Sequence, residues 1–391
     1  MQSESMAASS STRGLDSQYI YIACPWTPKG GGMFKVADYL IQAQAIAASP
    51  EAAELKPLDT RGGSNAGYSI WILAKAVLSL LRGRLNGGLA GVHVNMAERL
   101  SLFRKSVIVV VSRALGVPVV LHLHAAQLHH FYRGLPRPLQ ALTRWVFSLP
   151  SSCIVLGEQA RRFVTEELQV PPDRVEIVIN GVPEPSQPRR VAGLQDIRRV
   201  LFVGNLSERK GVSDLLAALA LPGFDRSGLE VCIAGGGDID SYRLKAYELG
   251  LQATVRFAGW SDQQQVALLM AQADVLVLPS YDEGLPLVIL EALANGVAVV
   301  CSPVGEIPAV LTDGVTALFV APGDVPGLAA GLQRVLQQPA LRKTLETNGR
   351  SLYQQQFSLT RFFASVAKVH QRHFGIAGQA LHIGSARQDT P

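Results

Sequence analysis

Cysteine is scarce. The chain has four in 391 residues, Cys24, Cys153, Cys232 and Cys301, far apart, each in an apolar strand-like run and without a Cys-x-x-Cys pair. That excludes a disulfide framework or a zinc finger and leaves buried, reduced thiols. Charge is also thin, at 17% against 48% hydrophobic residues, a balance that fits parallel strands covered on both faces. Long hydrophobic runs are missing: Ile70 to Leu81 is too short to span a bilayer, and Lys75, Arg113, Gly116 and Pro118 break this and the Val107 to Leu123 stretch. The start, Ser-rich up to Asp16, lacks the basic start and apolar core of a secretory signal, so the expected compartment is cytoplasmic. With no finger spacing, RNA-binding aromatic signature or dense Lys/Arg run, no nucleic-acid partner is expected.

What charge there is lies unevenly. Up to Arg190 there are 20 Lys+Arg against 13 Asp+Glu, and beyond it 16 against 18, so the +5 of the chain sits in the first half. A basic half suits an anionic membrane surface or an anionic substrate; ordinary solvated arginines are the plainer reading.

Short β-branched runs alternate with helical patterns throughout, which predicts α/β architecture with two doubly wound, Rossmann-like domains facing across a cleft. Expected strands are 19–23, 91–95, 118–122, 153–156 and 175–179 in the first half, then 199–203, 230–234, 254–257, 275–278, 297–301 and 317–320. Pro183, Pro185 and Pro188 mark an extended linker. The expected division is a disordered segment 1–17, a first Rossmann-like domain 18–188, a second 189–358, a helix 359–375 crossing back to the first domain, and a disordered tail 376–391.

Chemistry concentrates after the strand 275–278, in Pro279-Ser-Tyr-Asp-Glu-Gly-Leu-Pro-Leu-Val-Ile-Leu-Glu291. Ligands bind outside the carboxyl ends of such strands, and the Gly284-Leu285-Pro286 turn opens a helix whose free N–H groups favour an anion, with Pro286 in its first turn. Glu283 precedes that helix and Glu291 lies two turns into it, so two carboxylates can face one cleft and accept bonds from sugar and ribose hydroxyls. The plain alternative is a capping Glu283 and a surface Glu291. Gly30-Gly31-Gly32 follows the first strand and opens a helix from Met33, either a flexible turn or bare backbone approached by a phosphate or sugar. Asp238-Ile239-Asp240 imitates a metal-binding Asp-x-Asp, but after Gly235-Gly236-Gly237 it is expected to cap the next helix, and no metal is expected. Those glycines lack the last glycine of a dinucleotide fingerprint, because position 240 is Asp.

These pieces resemble the retaining family-4 glycosyltransferases of the GT-B fold, whose Glu-x7-Glu motif matches Glu283 and Glu291. Gly30-Gly31-Gly32, His122-Leu123-His124, Asn180-Gly181-Val182, Val203-Gly204 to Lys210-Gly211, Ala234 to Gly237 and Phe257-Ala258-Gly259 follow the family in order. The resemblance implies that Glu283 meets hydroxyls of the donor sugar, Glu291 the ribose, and Gly284 and Leu285 the phosphates. It also implies that Lys210 neutralises the leaving diphosphate and that His124 lies near the donor sugar. His122, His129 and His130 crowd that last region. Family members commonly have Arg where this chain has Asn205, so either Arg209 substitutes or the diphosphate has one cation fewer. The implied function is metal-independent hexosyl transfer, with retention, from a UDP- or GDP-hexose to an oligosaccharide or lipid-linked acceptor, in exopolysaccharide or envelope polysaccharide assembly. No cofactor is implied. A sugar-nucleotide epimerase and a non-catalytic nucleotide-sugar-binding subunit share the architecture and stay open as alternatives. The segment Phe131 to Phe147, with Tyr132, Trp145, Arg133, Arg137 and Arg144, reads either as an interfacial helix on anionic lipid or as a core-facing helix.

Overall fold

The computed structural model describes residues 18–27, 31–47, 53–63, 66–190 and 198–376. The expectations for 1–17, Gly30 and 377–391 lie outside the described residues. Two parallel sheets of six strands each form the frame. The first contains β1 (Tyr19–Cys24), β2 (Glu54–Asp59), β3 (Leu89–Met96), β4 (Val119–Leu123), β5 (Ser152–Val155) and β6 (Val175–Ile177), in the order β2-β1-β3-β4-β5-β6. The second contains β7 (Arg199–Val203), β8 (Glu230–Ala234), β9 (Val255–Gly259), β10 (Val275–Leu278), β11 (Ala298–Cys301) and β12 (Leu318–Phe319), in the order β12-β11-β10-β7-β8-β9.

The helices of the first half are α1 (Gly31–Ala47), α2 (Ala66–Leu85), α3 (Leu100–Ala114), α4 (Leu128–Arg133), α5 (Arg137–Ser148) and α6 (Glu158–Arg162). The second half adds α7 (Val212–Ala220), α8 (Ile239–Glu248), α9 (Gln263–Gln272), α10 (Leu287–Ala294), α11 (Ile307–Val310), α12 (Val325–Gln337), α13 (Pro339–Leu352) and α14 (Leu359–Phe374).

Central strands form where apolar residues run without interruption. All four residues of β10 are fully buried, each burial stabilising by about 1.5–3 kcal/mol relative to exposure. β2 is absent from the expected strands: Glu54, Lys56 and Pro57 break its apolar pattern, which is tolerated because it stands at the sheet edge and pairs only with β1. Asp238 caps α8 as expected, accepting the Ser241 N–H.

The chain crosses between halves twice, at Val182 and at Ser358, and the crossings pair: Val182 N donates to Phe357 O and Leu359 N to Val182 O, both at 3.0 Å. Gly181 must be glycine there, because a Cβ would stand 2.6 Å from Ser358 O. Beyond the second crossing α14 packs on α1, β3 and β4 of the first half. His370 on α14 meets His93 Nδ1 at 2.8 Å, and His93 Nε2 meets His122 Nδ1 at 3.2 Å, a buried row of three imidazoles.

Three sequence expectations change. Phe131 to Phe147 is not one helix: Gly134-Leu135-Pro136 separates α4 from α5, Tyr132 and Phe147 are buried, and Arg133 pairs with Glu167 at 2.6 Å. Pro286 is not in the first turn of α10 but at its N-cap, and α1 starts at Gly31 rather than Met33.

Candidate active site

Strand order in the second sheet reverses between β10 and β7, and the loops after these two strands meet. After β7 the chain makes a single 3-10 turn, Glu208–Lys210, and ends it on Gly211 at φ 67°. A Cβ on Gly211 would stand 2.0 Å from Pro279 O, so only glycine allows the β7 loop to press on the β10 loop. Tyr281 N donates to Arg209 O at 2.8 Å, and the Arg209 guanidinium to Asp282 O at 2.5 Å. From the other side Glu306 N donates to Gly284 O at 3.1 Å, beside Gly305, where a Cβ would meet Glu283 O at 1.9 Å.

This clamp fixes the charges. Lys210 Nζ donates to Glu283 Oε1 at 2.5 Å, and Arg209 stands 3.8 Å from Glu283 Oε2. The Lys210 and Glu283 side chains are 13% and 8% exposed. Burying such a pair contributes little net stability. Among the described residues the amides of Glu283, Gly284 and Leu285 donate to no protein group, at the positive end of α10. The Leu285 side chain is core.

Glu291 lies on α10 and faces α1 of the first half. Its Oε1 accepts from Lys35 Nζ at 2.9 Å and Tyr39 OH at 3.1 Å, whereas Oε2 is buried without a partner. Burial, then the Glu291 charge, pushes the Tyr39 phenol above its ordinary range, so it stays a donor. At the start of α1 a Cβ on Gly32 would lie 3.9 Å from Leu287, and Gly31 takes φ 66°. Gly32 therefore belongs to the strip of α1 that meets α10, whereas a Cβ on Gly31 would meet nothing within 4 Å.

Between the halves runs a cleft of about 680 Å³ whose walls include His124, Leu156 and Arg133 from the first half and Glu283, Gly284 and Glu306 from the second. His124 follows β4, its Nε2 2.7 Å from Asn95 Oδ1 and its ring 4.0 Å from that of His122. Burial, then the charges of His93 and Lys105, lowers its pKa to about 3, so the imidazole is neutral near pH 7. With Asn95 accepting, Nε2 carries the proton and Nδ1 is an acceptor. Glu306 is buried and accepts the Ala160 N–H of the first half at 2.9 Å, against Gly157, where a Cβ would strike its carboxylate.

Glu283, Lys210, Arg209 and Gly284 thus form one cluster, with His124 across the cleft and Glu291 on the same helix facing α1. Asn205 stands apart, exposed, beside Gly236, while Arg209 meets Glu283. Sequence reasoning missed Lys35, Tyr39, Asn95 and Glu306. Lys35 and Tyr39 lie one turn apart on α1, and Gly305-Glu306 repeats after β11 the strand-end pattern of a glycine beside an acid; both signals are present in the sequence.

Two facing doubly wound domains with the candidate site at the strand-end crevice are the GT-B fold. The description "Glycosyl transferases group 1" matches residues 188–352, and "Glycosyltransferase Family 4" matches 66–184. The chain belongs to the family-4 glycosyltransferases. It is 27% identical over 273 residues to an uncharacterized glycosyltransferase of Methanocaldococcus jannaschii, covering 65% of this chain and 69% of that protein. Among solved structures, sucrose-phosphate synthase from Thermosynechococcus elongatus superposes with TM-score 0.73 at 21% identity, covering 92% of this chain and all of that one. Anabaena HepE in complex with UDP-glucose gives TM-score 0.71 at 17% identity, covering 90% of this chain and 99% of that one.

Proposed function

We propose that this glycosyltransferase moves a hexosyl group, with retention and without a metal, from a nucleotide-sugar to a glycan or lipid-linked acceptor in the assembly of exopolysaccharide or envelope polysaccharide. The observation that carries the reading is the Lys210–Glu283 contact at the start of α10, with an unpartnered Glu291 oxygen on the same helix. A diphosphate laid on the amides of Gly284 and Leu285 reaches Lys210 and Arg209, and Glu283 and Glu291 accept from sugar and ribose hydroxyls. As the bond from the anomeric carbon to the diphosphate oxygen breaks, its electron pair stays on that oxygen, where Lys210 and the helix end stabilise the growing charge. The acceptor hydroxyl attacks the same face and its proton passes to the departing phosphate. His124, neutral, holds a sugar hydroxyl across the cleft. HepE binds UDP-glucose, which favours a UDP-hexose as donor.

Contact with anionic membrane rests on α2, α3 and α5 rather than on one aromatic helix. Ile70, Trp71, Leu78 and Leu85 on α2, Phe103 on α3 and Trp145 on α5 are exposed, with Lys75 over the Trp71 ring and Arg82 and Arg84 in the last turn of α2. On this reading the enzyme works in the cytoplasm at the inner face of the membrane, although among the described residues no helix is long and apolar enough to cross it.

Incubation with a panel of UDP-, GDP- and ADP-hexoses tests the proposal. Release of free nucleotide from one of them, faster with added acceptor and with the donor's anomeric configuration kept in the product, is the expected result. An interconverted sugar with no free nucleotide would make it an epimerase, and binding without turnover a non-catalytic subunit.

A further inference from the structure

Each sheet has its own crevice where strand order reverses, and the donor on this reading occupies only the one between β7 and β10. In the first sheet the reversal lies between β1 and β3. The helices that follow these strands, α1 and α3, belong to different core clusters, on opposite faces of the sheet. Such a crevice is where open α/β sheets bind ligands.

Lys105, on α3, reaches over it to the first turn of α1. Its Nζ lies 3.2 Å from Met33 Sδ and 3.1 Å from Ser101 Oγ, the residue is 1% exposed, and among the described residues it has no carboxylate partner. A buried ammonium held only by a thioether and a hydroxyl is costly unless something else arrives to meet it. Among the described residues no neighbouring carboxylate lies close enough to pair with it. Burial pushes the Cys24 thiol up to about 12. Asp59, whose charge reaches Lys105, turns its carboxylate to the N–H groups of Trp26, Arg61 and Gly62. Arg104 has a buried Nε without a partner, and neither it nor the exposed Arg61 forms an ion pair among the described residues. The Arg61 charge is felt at Arg104, and that of Arg104 at Lys105.

We propose that this crevice docks a phosphate group of the acceptor, held by Lys105, Arg104 and Arg61 at the first turn of α1. The inference rests on the transferase reading and adds the acceptor's chemical class. Position favours acceptor over donor: the donor diphosphate lies on Lys210 in the other half, whereas β3 is hydrogen-bonded to β4, whose end carries His124. A phosphate anchored here brings a neighbouring hydroxyl toward that histidine. Burial lowers Lys105 to about 7, so a dianion entering the crevice recharges it.

Calorimetry with inorganic phosphate, with sn-glycerol 1-phosphate and with phosphatidylglycerol vesicles, each in the presence of saturating UDP, tests the assignment. Wild type is expected to bind phosphate, Lys105→Met and Arg104→Gln to bind it about tenfold more weakly, and Lys210→Ala to bind it like wild type. With sulfate, a dianion that does not titrate near neutrality, wild type is expected to take up protons from buffer at pH 8, and Lys105→Met is not. Loss of vesicle binding in Arg104→Gln identifies a lipid headgroup; loss of only the soluble ester identifies a free phosphate monoester. Unchanged phosphate affinity in both crevice variants, or displacement of all phosphate by UDP, overturns the proposal. Failure of UDP to bind counts against the transferase reading instead, and the variants still decide the phosphate site.

Discussion

Replacing Lys210 by alanine is expected to lower turnover about 100- to 1000-fold, the range found when one preorganised donor to a developing anion is removed. The ammonium sits on Glu283 at the start of α10, where on the proposed mechanism a departing diphosphate gathers charge, and it is held there by a loop that Gly211 alone can form. Arg209 replaces it only in part, because one of its guanidinium nitrogens donates to Asp282 O and the group stands 3.8 Å from Glu283. The same change leaves Glu283 buried without its main partner, so the variant is also expected to lose about 3 kcal/mol of stability. Lys210→Arg keeps the charge on a wider, planar head and is expected to recover only part of the rate. Single-turnover rates with donor in excess check this, and an unchanged rate in the alanine variant removes Lys210 from the chemistry.

Acid is expected to unfold the first half well above the pH at which carboxylates protonate. His93 and His124 are held near 3, and His122 and His370 well below the ordinary 6.5, in each case first by burial. An unfolded chain protonates these rings near 6.5 and the folded one does not. Stability from the neutral cluster is therefore complete above about 6.5 and is lost as pH falls from there toward about 3, at up to about 1.4 kcal/mol per pH unit for each ring. Four rings falling together remove several kcal/mol by pH 5, a large part of what a typical domain possesses. Circular dichroism against pH is expected to give an unfolding midpoint between about 5 and 6. The paired change His93→Leu with His370→Leu removes two titrating groups and should move that midpoint to lower pH. A profile flat from pH 7 to 5, or unmoved in the double variant, contradicts this.

Legibility of the fold followed burial. Strands such as Val275–Leu278, buried on both faces, appear in the sequence as unbroken apolar runs, whereas the edge strand β9 is largely half-buried and carries the exposed Arg256. β2 is hidden by Glu54, Lys56 and Pro57, because an edge strand answers to one neighbour only. The break between α4 and α5 was written in Gly134-Leu135-Pro136, and the aromatic pattern across it outweighed that signal. At the site, the local cluster of Glu283 and Gly284 can be read from one strand-end turn. The partners of Glu291 cannot: Lys35 lies 256 residues away and meets it only because the two halves close on each other. The histidine row is hidden for the same reason, since His93 and His370 are joined only when α14 returns to the first sheet.

Titration of UDP into wild type and Glu291→Ala by calorimetry reaches the core of the account, the grip of a nucleotide-sugar on the start of α10. Wild type is expected to bind, and the variant to bind about 10- to 100-fold more weakly, as the loss of a charged hydrogen-bond acceptor implies. Equal affinity in the two proteins, or no binding of UDP, GDP or ADP by wild type, would contradict it.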